Sequence, residues 1–278
     1  MSRQLALFLA AAQFLTRLPV PALRGFDSSR LAQSARYFPL VGALIGATNV
    51  GVWWTASRWL PAAVSVGLML AASLLLTGAL HEDGFADTCD GLGGGTTADR
   101  ALAIMKDSRI GAYGAIGIVV SLGLKWTMLT AVPAAVIPLI VIAAHTVSRW
   151  CALGLIWRLP YLRSGDRSLD EAKARPFAGN LSTGEWALSG TIGLIAVLLV
   201  AGLAARSSGD AHTEAMLEAR ALAAGLAGAM LTALVFAFHL RRRLGGYTGD
   251  CLGAVQQLAE LAFLLGALAL CNPLRRVA

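Results

Sequence analysis

Residues 111–153 read GAYGAIGIVVSLGLKWTMLTAVPAAVIPLIVIAAHTVSRWCAL, and Lys125 and Arg149 are the only charged side chains among them. A helix that crosses a bilayer needs about 20 predominantly apolar residues. This stretch holds two such helices, Gly111–Ala131 and Pro133–Leu153, split only at Val132-Pro133, so it predicts a tight transmembrane hairpin. Five further apolar runs of similar length flank it: Tyr37–Ala56, Pro61–Leu80, Trp186–Ala205, Ala221–Leu240 and Gly253–Cys271. The expected fold is an all-α, polytopic integral membrane helix bundle of about seven spans. Met1–Ala12 is apolar, but it runs on into Phe14-Leu15-Thr16-Arg17-Leu18-Pro19. That continuation favours an N-terminal interfacial helix ending at Pro19 over a cleaved signal peptide.

Composition agrees with this reading. Apolar residues make up 56 % of the 278, charged residues only 14 %, and mean hydropathy is +0.65. A soluble domain carries about 25 % charged residues, so a soluble enzyme and a disordered chain are both excluded. The net charge is +7. Its basic residues sit in short clusters between apolar runs rather than on one patch, which excludes nucleic acid as the expected partner and leaves the lipid bilayer. Sixteen of the 23 Lys and Arg residues fall in Arg3–Arg36, Arg100–Arg109, Arg158–Arg175 and Arg241–Arg243. Five fall in the alternate segments: Arg58, Arg206, Arg220, Arg275 and Arg276. The bias predicts a cytoplasmic N-terminus and an external C-terminus. Cys89, Cys151, Cys251 and Cys271 have neither metal-ligand nor disulfide-framework spacing.

The acids separate into ordinary and informative groups. Asp210, Glu214 and Glu218 belong to an outer loop, and Asp166, Asp170, Glu171 and Glu185 to a polar inner loop. Both read as solvated. The segment His81-Glu82-Asp83-Gly84-Phe85-Ala86-Asp87-Thr88-Cys89-Asp90-Gly91-Leu92-Gly93-Gly94-Gly95 is different. If the second span stays helical to about Asp90, the spacings of four and three place Asp83, Asp87 and Asp90 on one face, where like charges repel. Divalent metal relieves that repulsion, and all-oxygen ligands favour Mg²⁺, Mn²⁺ or Ca²⁺ over zinc. The glycines after Asp90 are expected to end the helix and let backbone N–H groups at Gly91, Gly94 and Gly95 approach a phosphate. Met105-Lys106-Asp107-Ser108-Arg109 adds a fourth candidate metal ligand, Asp107, and two phosphate-binding cations, Lys106 and Arg109. Asp250, Gln257 and Glu260 share a face of the last span, and Asp250 reads as a cap, a ligand or a base. Arg149, inside a span, needs an anionic partner and is a third candidate phosphate ligand.

The run Asp87-x-x-Asp90-Gly91-x-x-Gly94 resembles the opening of the CDP-alcohol phosphotransferase motif, although Gly94-Gly95 stands in place of Ala-Arg. A wider resemblance spans most of the chain. Phe14–Pro21, Phe38-Pro39-Leu40-Val41-Gly42, His81–Gly95, Met105–Gly111 and Gly246-Tyr247-Thr248-Gly249-Asp250 occur in the order typical of cobalamin synthase, also called adenosylcobinamide-GDP ribazoletransferase. That resemblance implies a single membrane-embedded catalytic domain over residues 1–278 in the bacterial inner membrane. It implies corrinoid nucleotide and α-ribazole substrates, Mg²⁺ as cofactor, and GMP as a product of the final stage of vitamin B12 assembly. Fitted to this chain, it makes Asp83, Asp87, Asp90 and Asp107 the metal ligands. Asp90 or Asp250 becomes the base, and Lys106, Arg109 and Arg149 hold phosphate oxygens. Association with further copies, or with other enzymes of the pathway, stays open. A cation-coupled transporter is the rival from another class, weakened because the acids lie at span ends and no repeat is visible.

Overall fold

The computed structural model describes residues 2–20, 32–162, 181–205 and 211–271. Arg24, Arg30, Arg163, Asp166, Arg167, Asp170, Glu171, Lys173, Arg175, Arg206, Asp210, Arg275, Arg276 and the side chain of Glu214 lie outside the described residues. The helices are α1 Arg3–Leu15, α2 Phe38–Ala56 (after a 3₁₀ turn Ala35–Tyr37), α3 Ala62–Thr77, α4 Leu80–Gly94, α5 Ala98–Met105, α6 Ala112–Ala131, α7 Ile137–Arg158, α8 Thr183–Ala205, α9 Ala211–Arg243 and α10 Gly249–Cys271. Among the described residues the one strand-like pairing is an isolated bridge between Tyr161 and Tyr247. Among the described residues six helices are long and apolar enough to cross a membrane, namely α2 extended back to Ala32, α6, α7, α8, α9 and α10, and the pair α3–α4 makes up to a seventh. The chain is a multi-pass membrane protein.

The expected second span is corrected. It does not stay helical to Asp90. Gly78 (φ +64°) and Ala79 (φ +54°) are both left-handed, and α4 leaves α3 at 88°. Glycine adopts this conformation freely, whereas a left-handed alanine costs roughly 1–2 kcal/mol. The surroundings hold the turn in place. The Arg17 N–H donates to the Leu76 carbonyl at 2.7 Å. The Arg17 side chain lies against Gly78, where any Cβ would collide with it. The segment carrying Arg17 therefore wedges the break. The α1 helix also ends earlier than expected, at Leu15 rather than Pro19. Thr16 folds back on the Ala12 carbonyl through its N–H (2.9 Å) and its hydroxyl (2.6 Å), and Leu7, Ala11 and Leu15 are buried against the bundle.

Helix α7 is the hub, with Leu139, Ile140, Leu153 and Leu155 almost wholly buried. Lipid chains are as apolar as leucine, so packing between spans relies on small residues that let backbones approach. On α2, Gly42 faces the His145 carbonyl, and a Cβ on Gly46 would lie 2.8 Å from the Ile142 Cα. On α9, a Cβ on Gly228 would lie 2.7 Å from the Ala262 carbonyl oxygen. Trp186 of α8 stacks between Trp150 and Trp157 of α7, both at 4.6 Å. Leu194, Leu198 and Leu199 point outward, as lipid-facing side chains do.

The connections that carry the sequence motifs meet at one end of the bundle. Arg36 pairs with Glu185 at 3.4 Å. The Leu162 N–H donates to the Tyr247 carbonyl at 2.9 Å. Arg243, at the end of α9, donates to the Gly95 carbonyl at 2.7 Å. Glu185, expected in a solvated loop, instead forms a capping box with Ser182 at the start of α8. Helix α4 lies across this end, over the first turns of α6 and α10.

Candidate active site

The crossing of α4 and α10 is close because both helices present glycine. A Cβ on Gly84 would lie 2.9 Å from the Asp250 carbonyl oxygen, and one on Gly253 would lie 2.8 Å from that of His81. Backbone contact at this point sets Asp250 beside Asp83 and Asp87, which share one face of α4. The three carboxylates are near enough for their charges to interact. Asp83 is exposed, whereas Asp87 and Asp250 are half-buried. The Thr248 hydroxyl donates to Asp250 Oδ2 at 3.4 Å. Among the described residues, none of the three forms an ion pair.

Asp90 has other duties. It accepts the N–H of Gly111 at Oδ2 (2.7 Å) and that of Gly114 at Oδ1 (2.9 Å). It therefore caps α6 from a distant segment, placing its charge at the positive end of that helix. Asp90, expected as a ligand and a base, thus also serves as a cap, with each of its oxygens already accepting one N–H. Asp107 and Arg109 likewise hold each other. Oδ2 accepts from Nη2 at 2.6 Å, Oδ1 accepts from Nε at 3.0 Å, and the Arg109 side chain is 86 % exposed. This bonding holds the Asp107 carboxyl down to about 2. The pair faces solvent and does not join the other aspartates. Lys106 is exposed at the end of α5 and has no ion pair among the described residues.

The expected phosphate loop is also corrected. Helix α4 continues through Gly94, and the Gly95 N–H bonds the Gly91 carbonyl at 2.9 Å. A Cβ on Gly91 would strike the Met105 side chain, and one on Gly95 would lie 2.5 Å from the Ala101 Cα. These glycines let α5 pack on α4, and Gly94 faces Ile104. They form no loop around a phosphate.

Arg149 is 2 % exposed, and its charge interacts with those of Glu260 and Glu82 rather than with Asp83, Asp87 or Asp250. Its Nη1 donates to the His145 carbonyl at 3.0 Å and lies 3.1 Å from His145 Nδ1. His145 Nε2 in turn lies 3.0 Å from the Asn49 amide nitrogen. Lys125 pairs with Glu260 at 2.7 Å, and Gln256 donates to Glu260 (2.6 Å) and to Ser148 (3.0 Å). Gln257 donates to Glu82 at 2.9 Å. Lys125, Gln256, Arg17 and Arg243 escaped the sequence reading. A lysine in an apolar span is a visible signal, but its pairing with Glu260 across 135 positions is not.

Among the described residues, no three His, Cys, Asp or Glu side chains converge closely enough to hold a metal ion unaided. The donor chemistry of Asp83, Asp87 and Asp250 still suits a hard cation, because it is all oxygen and unneutralised. Mg²⁺ in particular is commonly held by one or two carboxylates, with substrate phosphates completing its shell.

A family model described as cobalamin-5-phosphate synthase matches residues 7–268. The chain belongs to this family. A protein of Leptothrix cholodnii named adenosylcobinamide-GDP ribazoletransferase is 45 % identical over 266 residues, 95 % of each chain. One of the same name from Shewanella sp. strain W3-18-1 is 41 % identical over 267 residues, covering 95 % of this chain and 94 % of its own. No solved structure gives a significant match. The cobalamin-5-phosphate synthase segments singled out in the sequence, as far as they are described, gather at the end of the bundle where α4 crosses α10.

Proposed function

We propose that the chain is an adenosylcobinamide-GDP ribazoletransferase. A ribose hydroxyl of α-ribazole, or of its 5′-phosphate, attacks the phosphorus on the cobinamide arm of adenosylcobinamide-GDP. The bond from that phosphorus to the bridging oxygen breaks, a phosphodiester forms, and GMP leaves. The observation that carries this reading is the trio Asp83, Asp87 and Asp250, brought together by glycine contacts and left without a cation.

In this mechanism Asp83 and Asp87 would hold Mg²⁺, while Asp250 approaches from the second helix and takes the proton of the attacking hydroxyl. Bound there, Mg²⁺ supplies neutralisation of the charge on the diphosphate. Asp250 is better placed for the proton than Asp90, whose two oxygens already accept backbone N–H groups. The Thr248 hydroxyl orients Asp250. Lys106 is free to reach a phosphate oxygen, and Arg17, exposed over the α3–α4 break, stands on the same side. Arg149 is too deeply buried to serve and acts in the scaffold. We place the chain in the bacterial inner membrane with this end of the bundle in the cytoplasm. The support is the Lys/Arg bias of sixteen to five.

The test is GMP release by detergent-purified protein given adenosylcobinamide-GDP and α-ribazole 5′-phosphate, with Mg²⁺ or with EDTA. Release that requires both substrates and Mg²⁺ is the expected result. Folded protein that releases none overturns the assignment, and release in EDTA overturns the metal.

A further inference from the structure

The buried polar chain beneath α4 takes part in no step above, yet it ends one residue from Asp83. Glu82 and Asp83 are neighbours on α4, about 100° apart around the helix, so one points inward when the other points out. The inward Glu82 accepts from Gln257 Nε2 at 2.9 Å. Gln257 Nε2 also donates to Gln256 Oε1 at 2.8 Å, and Gln256 is anchored to Ser148 of α7 and to Glu260, which holds Lys125 of α6. Gln257 and Gln256 are each only 1 % exposed.

We propose that Gln257 is a positioning residue for the reaction: its hydrogen bond to Glu82 fixes the rotation of α4, and with it the place of Asp83 and Asp87 opposite Asp250. This rests on the proposed role of those aspartates. Two facts make the bond matter. First, α4 begins after two left-handed residues, so no continuous helix from α3 sets its rotation. Second, the Gly84 and Gly253 contacts set how near α4 and α10 come, but glycine offers no side chain to resist turning about the helix axis. The Glu82–Gln257 bond supplies that direction at the Asp83 end of α4, as the bonds of Asp90 to Gly111 and Gly114 do farther along the helix. It is tightly constrained, because Glu82 Oε2 and Gln257 Oε1 are buried without further partners. Removing the donor leaves the Glu82 carboxylate with no hydrogen bond among the described residues. The helix then relieves the cost by rolling Glu82 outward, which carries Asp83 and Asp87 away from Asp250.

The test compares Gln257→Glu, which sets two carboxylates against each other, with Glu82→Gln/Gln257→Glu, which exchanges donor and acceptor and restores the bond between positions 82 and 257 while both variants alike lose the bond to Gln256 Oε1. Three quantities are read in detergent. They are kcat and KM for GMP release, Mn²⁺ affinity without substrate from the free-ion EPR signal, and thermal unfolding. Supporting residues behind a metal site are worth about 10–100-fold in metal affinity or activity. Gln257→Glu is expected to lose at least about tenfold in both kcat and Mn²⁺ affinity, with KM changed less than about threefold. The exchanged pair is expected to recover both to within about threefold of wild type. Should Gln257→Glu fail to fold, Gln257→Asn, one methylene short of Glu82, is expected to show the same paired loss. A folded variant with unchanged kcat and Mn²⁺ affinity overturns the proposal, as does an exchanged pair no better than the single variant. If wild type neither binds Mn²⁺ nor needs Mg²⁺, the metal reading fails instead, and recovery of kcat in the exchanged pair alone decides the role of Gln257.

Discussion

The molecule treats its acids in two opposite ways. In the bundle interior, Glu260 is 5 % exposed and meets Lys125 at 2.7 Å, Gln256 at 2.6 Å and His145 at 3.6 Å. At the end of the bundle, Asp83, Asp87 and Asp250 crowd together with no cation among the described residues. A charge in lipid must be neutralised by the protein itself or it is not tolerated. A charge at the boundary is hydrated and can be left for a ligand to complete. The difference supports the proposal that the buried set is scaffold and the boundary set the reacting surface.

Substitutions separate the two regions. Asp87→Asn should lower GMP release by at least about 100-fold, since even groups one step behind a metal cost 10–100-fold. Its unfolding should not become easier, because a repulsion is removed. Glu260→Gln should do the reverse in kind, strands Lys125, and destabilise the bundle by about 3–5 kcal/mol, read by unfolding in mild detergent. Lys125→Met/Glu260→Leu should regain most of that loss, because a buried ion pair is often matched by apolar residues of similar volume. Asp90→Asn tests an intermediate case. It should cost about 1 kcal/mol as a weakened cap of α6, with a smaller drop in rate than Asp87→Asn.

The smallest effect is expected at the exposed Asp107–Arg109 pair. Exposed pairs contribute little to stability, so Arg109→Ala should leave unfolding unchanged. It should still move the Asp107 titration, followed by carboxyl carbon NMR, from about 2 to about 4, the ordinary aspartate value. The sign follows from the depressed value. Whatever small stability the pair adds is present above the ordinary aspartate range and lost as pH falls toward about 2.

Span positions were legible wherever a long apolar run carried them. The expected Tyr37–Ala56 and Gly111–Ala131 are found as Phe38–Ala56 and Ala112–Ala131. The break at Gly78-Ala79 was not legible, since Leu74–Leu80 reads as unbroken apolar helix and a left-handed alanine has no sequence signature. Gly91–Gly95 read as a loop because glycine is a poor helix former, yet contact with Met105 and Ala101 overrides that preference. Asp83, Asp87 and Asp250 could be singled out as acids at span ends. The cap made by Asp90 could not, because its partners lie 21 and 24 residues away. Arg149 was expected to need an anionic partner; its hydrogen bonds go to His145 one turn back on the same helix, and the acids whose charges reach it, Glu260 and Glu82, come from other helices that only the packed bundle brings near.

The contrast between the two acidic regions is tested most directly by counting bound Mn²⁺ from the free-ion EPR signal in wild type, Asp87→Asn and Lys125→Met/Glu260→Leu, each shown to be folded. Binding in wild type and in the buried double variant, lost in Asp87→Asn, is the predicted result. Binding that survives Asp87→Asn and disappears with the buried pair would contradict the account and move the metal into the interior.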